Sequence, residues 1–468
     1  MSKRIAERAV VLGGSMAGLV AAQVLAEVYE EVTVVDRDQM PANSAPRHGV
    51  PQGRHVHGLL ARGQQALEEL FPGLTADLIA RGVPAGDLLS DVRWYFNGHR
   101  LRQIATGLVA LSASRPLLEA TVRARVRALP RVTFLEGCDA VGLVTTPDNR
   151  RVVGAWVLRR ADGSAEEVLG AELVVDAMGR GSRTPVWLEA LGYERPEAER
   201  VQIGLGYSTR TYRLRRGALG GDLAIVAAPT PEHPRGGALA MLEGDRCMLT
   251  LAGVLGDYPP RDPAGFLAFA QSLPFPDIYE TIRAAEPLDN PVAYRFPASF
   301  RHCYERLTRF PDGLLVVGDA LCSFNPVYGQ GISVTALEGL TLRRHLERAG
   351  RPQPQRFFRD VTRVIRVPWD IAAGGDLAFS GVEGRRTRKL RLVNAYIARL
   401  LAAAAHDAGL SKVFVRVDGL VDRPGKLLSP GVAFRVLRKT LPQATGPLPP
   451  KAVHRRDGAS AGVGSNSS

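Results

Sequence analysis

Hydrophobic and polar positions change their rhythm several times along the chain. Ala9-Val10-Val11-Leu12 is an unbroken apolar run, the pattern of a strand covered on both faces, and it stops at Gly13-Gly14-Ser15. From Met16 to Val28 the apolar positions recur with helical period, and Glu31-Val32-Thr33-Val34-Val35-Asp36 returns to strand. The spacing predicts a strand-turn-helix-strand unit at the N-terminus. Met40 to Gly58 has no period and is rich in Pro, Gly and His, so it reads as a long loop, a kind of segment that commonly carries function. Arg62 to Leu70 reads as a helix and Val92 to Ile104 as a hairpin turning at Asn97-Gly98. Pro116 to Leu129 reads as a helix with Ser114 before its first turn as a polar cap.

Strands are expected at Val132 to Leu135, Ala140 to Thr145, Val152 to Leu158 and Leu173 to Val175. From Val201 to Val254 the chain is strand-rich with Gly and Pro punctuation, which points to a sheet of a different unit. Leu314 to Val317 is again a short apolar strand, followed by a Gly-rich turn and a helix from about Gly331 to Leu346. The remainder to about Thr440 is mostly helical, and Gly446 to Ser468 is a Pro/Gly/Ser tail too poor in apolar residues to fold.

Composition narrows the class. With 468 residues, 45% apolar and 23% charged, the chain reads as a soluble globular protein of two or three units. Charges at Lys3, Arg4, Glu7 and Arg8 argue against a secretory leader, and no run is long and apolar enough for a bilayer. Cys138, Cys247, Cys303 and Cys322 have neither metal-ligand nor disulfide-framework spacing, so no metal and a cytoplasmic location are expected. The formal charge is +13; nearly all the positive charge is arginine, spread along the chain, and no nucleic-acid partner is expected. One dense basic stretch, Arg385 to Arg391, opens a C-terminal helix; a solvated face is the plain reading and peripheral membrane contact the sharper one. No lysine occurs between Lys3 and Lys389, which excludes Schiff-base and Walker-type lysines there.

Three constellations carry candidate chemistry. In Gly13-Gly14-Ser15-Met16-Ala17-Gly18 small residues at a strand-to-helix turn let a backbone approach a pyrophosphate at the helix N-terminus, although Ser15 stands where the strict fingerprint has glycine. Asp36, closing the second strand, is placed to accept hydrogen bonds from ribose hydroxyls, with Arg37 beside it. Asp176-Ala177-Met178-Gly179-Arg180-Gly181-Ser182-Arg183 follows an apolar strand and has the residues either to line a dinucleotide or to form a polar turn. Gly318-Asp319-Ala320, Asn325-Pro326 and Gly329-Gln330-Gly331 lead into a helix whose amides and dipole suit an electron-rich ring edge.

Together these elements resemble the FAD-dependent monooxygenases of the para-hydroxybenzoate hydroxylase fold, over about residues 5 to 345. Arg47-His48-Gly49-Val50-Pro51-Gln52-Gly53-Arg54-His55-Val56-His57, Ser114-Arg115-Pro116, Asn325-Pro326-Val327-Tyr328-Gly329 and Pro368-Trp369-Asp370 are similar to bacterial flavin epoxidases acting on alkenes of polyketide polyether and terpenoid precursors. The resemblance implies an α/β (α+β) fold. A Rossmann-like FAD-binding domain would lie in two parts, 1–190 and 296–348, with a β-sheet substrate domain inserted at 191–295. The 92–104 hairpin would join the substrate side, and a helical region at 349–445 and the tail at 446–468 would follow. It implies that Gly13, Gly14, Ser15, Met16, Gly18, Asp36 and Arg37 hold the adenosine diphosphate half and that Asp319 binds ribityl or pyrophosphate. The Asp176 turn would lie near the pyrophosphate, Pro326, Gly329 and Gly331 would border the flavin ring, Arg47 and Arg115 would contact FAD, and Val50 would approach the ring.

The implied chemistry is oxygen transfer from O2 through a flavin C4a-hydroperoxide, with NAD(P)H or a separate flavin reductase as electron donor. The substrate would be an apolar small molecule, a polyene or terpenoid, and strands 223–226, 238–242 and 248–254 could wall its pocket, although most of their apolar residues must make the core of their own unit. No catalytic side chain is evident; His55 and His57 are the candidates for proton transfer, against a plain structural role. An aromatic hydroxylase, a flavin-dependent isoprenoid reductase and a non-redox FAD-binding cyclase remain as alternatives. The lysine gap and the absence of a Trp-x-Trp-x-Ile-Pro segment argue against a halogenase.

Overall fold

The computed structural model describes residues 6–41, 43–161, 163–214, 217–349 and 351–440, so the tail expected beyond Gly446 lies outside the described residues. The first unit is built on a five-stranded parallel sheet in the order Leu314–Val316, Leu173–Asp176, Ala6–Leu12, Tyr29–Asp36, Val132–Glu136. Its central strand is the apolar run of the sequence: Ala9, Val10, Val11 and Leu12 are all buried, with Val11 paired to Val34 on one side and Val175 on the other. Helices cover both faces of such a sheet, and its chemistry gathers at the C-terminal strand ends. Here those ends are Leu12, Asp36 and Asp176.

The helix that follows the first strand runs Met16–Leu25, three residues shorter than its apolar period suggests. Glu27 and Val28 close onto Val24 and Leu25 with tighter bonds, and the next strand begins at Tyr29. The helix Gly331–Ala349 packs on it, through Gly339, where an added Cβ would lie 2.2 Å from Val20. The helix Arg115–Arg127 packs on it too, starting at Ser114, which accepts from the Leu117 amide.

A large mixed sheet forms the second unit, with Leu205–Arg213, Arg246–Gly253, Arg235–Leu242 and Ala224–Ala227 antiparallel at its centre. The hairpin Val92–Phe96 and His99–Arg100 adds to its edge, pairing parallel to Ala224–Ala227; Asn97 and Gly98 at its tip both have positive φ, as a two-residue turn demands. Two short helices, Pro263–Gln271 and Asp277–Ile282, cover one face. Ile225, Leu239, Leu249 and Leu251 of the sheet pack there against Phe266 and Phe269. The strands expected to wall a substrate pocket therefore spend those side chains on their own core. The C-terminal helices Arg388–Ala404, Ala408–Asp418 and Pro430–Thr440 form a further cluster with Leu89, Val92 and Leu101. Among the described residues no helix is long and apolar enough to cross a membrane.

Candidate active site

Two of the glycines in the first turn are required by contact. Gly13 has φ +101° and its Cβ would lie 2.6 Å from the Ala177 carbonyl oxygen, while a Cβ on Gly18 would lie 1.7 Å from the Gly13 carbonyl oxygen. Strand end and helix start are thus pressed together; the Gly13 amide bonds the Val35 carbonyl oxygen at 2.7 Å, and the amides without intrahelical partners are those of the helix start at Met16. The Gly14 amide donates to Asp36 Oδ2 at 2.7 Å and the Asp38 amide to Asp36 Oδ1 at 2.8 Å. Arg37, next in sequence, is exposed.

Beside this turn lies a buried charge cluster whose centre the sequence reading missed. Glu119, 4% exposed, accepts from Ser15 Oγ at 2.9 Å and from Arg47 Nε at 2.9 Å, and it pairs with Arg115 at 3.1 Å and Arg123 at 3.4 Å. Arg47 also reaches Asp36 at 3.2 Å, and Arg115 donates to Ser15 Oγ at 3.0 Å. Burial alone would raise the Glu119 carboxyl, but Arg115 and Arg47 outweigh it and hold it below the ordinary glutamate value. Arg47, Val50 and Arg115 line one small pocket with Glu119. One carboxylate so orients several guanidinium groups at the edge of the Gly13 turn, where a pyrophosphate would take bidentate donors.

Asp319 differs from these acids in having no hydrogen bond or ion pair among the described residues. Burial pushes its carboxyl up, and Arg180 and Arg115 only partly offset this. Arg180 is anchored by Ser323 Oγ at 2.7 Å and lies over the rings of Phe296 and Phe300. A half-buried carboxylate with free acceptor sites suits hydroxyl donors. Asp176, by contrast, is fully buried and saturated: it accepts from the Met178 amide at 2.9 Å, from Thr184 Oγ1 at 2.7 Å and from Ser182 Oγ. Its carboxylate shapes the turn, which is the polar-turn alternative of the two readings open for that motif.

Asn325 caps the turn Pro326–Tyr328 by accepting from the Val327 amide at 3.0 Å, and Pro326 is exposed at its start. The histidine loop closes over the next residues, with Gly58 against Gly329 and the Leu60 amide donating to Ser333 Oγ at 3.0 Å. His55 and His57 alternate to opposite sides. His55 bonds Thr209 Oγ1 at 2.7 Å and meets Tyr207 edge-on with centroids 4.5 Å apart; Tyr294 lies next to both rings. His57 bonds the His55 carbonyl oxygen at 2.9 Å and lines a small pocket with Arg115, Leu111, Leu118 and Ile332. Burial pulls His55 down to about 3, helped by His57, and His57 down to about 4, helped by Arg115. Both imidazoles are neutral at pH 7.

FAD fits this arrangement. The helix-start amides and Arg115 are donors, the open carboxylate of Asp319, within reach of the Arg115 charge, is an acceptor, and a Cβ on Gly331 would meet nothing within 4 Å, so the space at that position is open. A side chain at Gly331 would enter this space without striking protein. Gly331→Val is therefore expected to keep the fold and its melting temperature while losing most bound flavin; equal flavin content by absorbance would show the ring lies elsewhere.

The fold and this site define a class: the FAD-dependent monooxygenase fold of the para-hydroxybenzoate hydroxylase type. The p-nitrophenol 4-monooxygenase PnpA of Pseudomonas putida shares it at a TM-score of 0.62 and 15% identity, over 90% of this chain and 99% of that one. Kynurenine 3-monooxygenase of Salinispora arenicola is 28% identical over 349 residues, 70% of this chain and 69% of that protein. No family model matches the sequence. The chain belongs to the family of protein Rv3254 of Mycobacterium tuberculosis, with 36% identity over 443 residues, 89% of this chain and 90% of its relative.

Proposed function

We propose that this protein binds FAD and inserts one oxygen atom from O2 into an apolar substrate, epoxidising an alkene of a polyketide or terpenoid precursor. The observation that carries the reading is the unpaired Asp319 carboxylate near the first helix, where Gly318 meets Ala17, and within reach of the Arg115 charge. Bound and reduced FAD supplies oxygen activation and the electrophilic oxygen. The chain's own residues do the rest. Arg115 and the first amides of the helix that starts at Met16 hold the diphosphate, Asp319 accepts from sugar-alcohol hydroxyls, and the amides at Gly331 face the ring edge. The rings of Tyr207, Tyr294 and Phe296 next to Arg180 keep water from the substrate side.

The neutral histidines favour an alkene over a phenol. Phenol hydroxylation gains from a base that takes the phenolic proton, and imidazoles titrating at about 3 and 4 are too weak for it. Turnover is expected to show no imidazole inflection between about pH 5 and 8, and His57→Gln should leave the pH profile unchanged. An inflection near neutrality that disappears in that variant would restore a proton-transfer role to His57.

Aromatic hydroxylation is the second reading, favoured by the likeness to kynurenine 3-monooxygenase. The two separate when purified, flavin-loaded protein is supplied with a reductant, O2 and a panel of alkenes and phenols. Oxygen uptake coupled to product with alkenes supports epoxidation; coupling with phenols alone transfers the assignment to hydroxylation. Reduction of the alkene without oxygen uptake would remove both.

A further inference from the structure

The net charge of the chain is concentrated rather than dispersed. Residues 385–406 hold six Arg and Lys and residues 423–440 hold five, with no Asp or Glu in either stretch, so these two segments account for nearly all of the formal +13. They form the helices Arg388–Ala404 and Pro430–Thr440, which pack together through Leu400, Leu401, Val432 and Val436. The same segments carry the three most exposed large apolar side chains among the described residues: Leu392 at 72%, Phe434 at 65% and Leu428 at 62%. Leu392 and Val393 continue the apolar stripe of their helix past the end of its own core. Tyr396, one turn on, donates to the Leu427 carbonyl oxygen at 2.6 Å and so brings Leu428 alongside. Phe434 points away from Val432 and Val436, on the outer face of its helix.

Water is a poor solvent for bare Leu and Phe, and a cation-rich rim around them selects what covers them. A second copy docked on the same face would set these cations against their own equivalents. We infer that the C-terminal helices form a docking face for an anionic lipid surface, with Leu392, Leu428 and Phe434 inserted between headgroups and Arg388, Lys389 and Arg391 on the lipid phosphates. A basic amphipathic surface that lies in the interface has this composition. The face adjoins the ring end of the site. Asn394 donates to the Gly374 carbonyl oxygen at 3.0 Å, two residues before Asp376, whose carboxylate accepts from Asn325 at 2.8 Å and Tyr328 at 3.2 Å. An apolar substrate dissolved in lipid would be held beside the site, but the docking face stands independently of the oxygenase reading.

The test is co-flotation of the full-length, flavin-loaded protein with vesicles of phosphatidylcholine containing phosphatidylglycerol, and with phosphatidylcholine alone. Binding is expected to the anionic vesicles and to weaken with salt. Each cation near such a surface contributes about fivefold in affinity, so Arg388→Gln/Lys389→Gln/Arg391→Gln together should weaken binding about a hundredfold. Leu392→Asp/Phe434→Asp should abolish it, with flavin content unchanged as the sign of an intact fold. Phe434→Trp should fluoresce at shorter wavelength when anionic vesicles are added, which tests insertion even if the aspartate variant fails to fold. No flotation, flotation untouched by these variants, flotation lost only on removing residues 441–468, or variants that alter self-association or duplex DNA binding but not flotation would each overturn the inference.

Discussion

Glu119→Gln is expected to destabilise the flavin-free protein by about 3–5 kcal/mol, because it leaves Arg47, Arg115 and Arg123 buried around a site that has lost its charge. The loss has a pH signature. The Glu119 carboxyl is depressed in the folded state, so its contribution is fully present above the unfolded glutamate value of about 4.3 and is lost as pH falls through the folded value. The stability gap between wild type and variant should therefore be flat from neutrality to about pH 5 and close in stronger acid. Added FAD should widen it at neutral pH, since arginines no longer held in place bind the diphosphate more weakly and the ligand then stabilises the wild type more than the variant. Chemical denaturation across pH, with and without FAD, checks all three. A gap that is absent at pH 7 would mean that the cluster is solvated and does not organise the site.

Asp319→Ala should behave in the opposite way. The carboxylate is desolvated with no partner among the described residues, and its raised pKa means that the folded state disfavours its charge. Removing it is expected to leave the flavin-free melting temperature unchanged or higher at pH 8. A hydrogen bond to a charged group contributes about 1.5–3 kcal/mol, so the FAD dissociation constant should rise about ten- to a hundredfold. Gain of stability with loss of cofactor is the mark of a residue kept for binding. A variant that is both less stable and fully flavin-loaded would place Asp319 in the scaffold instead.

These two residues show what is legible in a sequence of this kind. Asp319 and Asp36 stand at ends of short apolar strands, where local pattern and fold class together give position, so both stand out from the amino-acid order alone. The parallel sheet, the hairpin at Asn97-Gly98 and the helix capped by Ser114 follow from equally local signals. Glu119 gives no such signal. In sequence it is four residues from Arg115 and four from Arg123, the spacing of an ordinary solvated helix pair. Only the packing of that helix beside the Gly13 turn, with the Met40–Gly58 loop folded over it, brings Arg47 to the same carboxylate. The Arg-x-x-x-Glu-x-x-x-Arg run is the one hint the chain offers.

Asp176 shows the converse. A carboxylate among glycines and arginines has a ligand-binding look, yet the Met178 amide, Ser182 and Thr184, two, six and eight residues on, donate to it within its own turn. Likewise the strands at 238–242 and 248–254 look equally fit for a pocket wall or a core, because apolar alternation marks a face as buried without saying against what. The residues that do flank the histidine loop, Tyr207 and Tyr294, meet only through pairing of strands far apart in sequence.

The central claim is that this chain transfers one atom of molecular oxygen by means of bound FAD. Single-turnover reaction of the reduced, FAD-loaded protein with ¹⁸O₂ and an alkene-bearing apolar substrate, followed by mass spectrometry, tests it most directly. One labelled oxygen in the product and one in water is the predicted outcome. Product carrying oxygen from solvent, or substrate returned with no oxygen while the flavin is reoxidised, would contradict it.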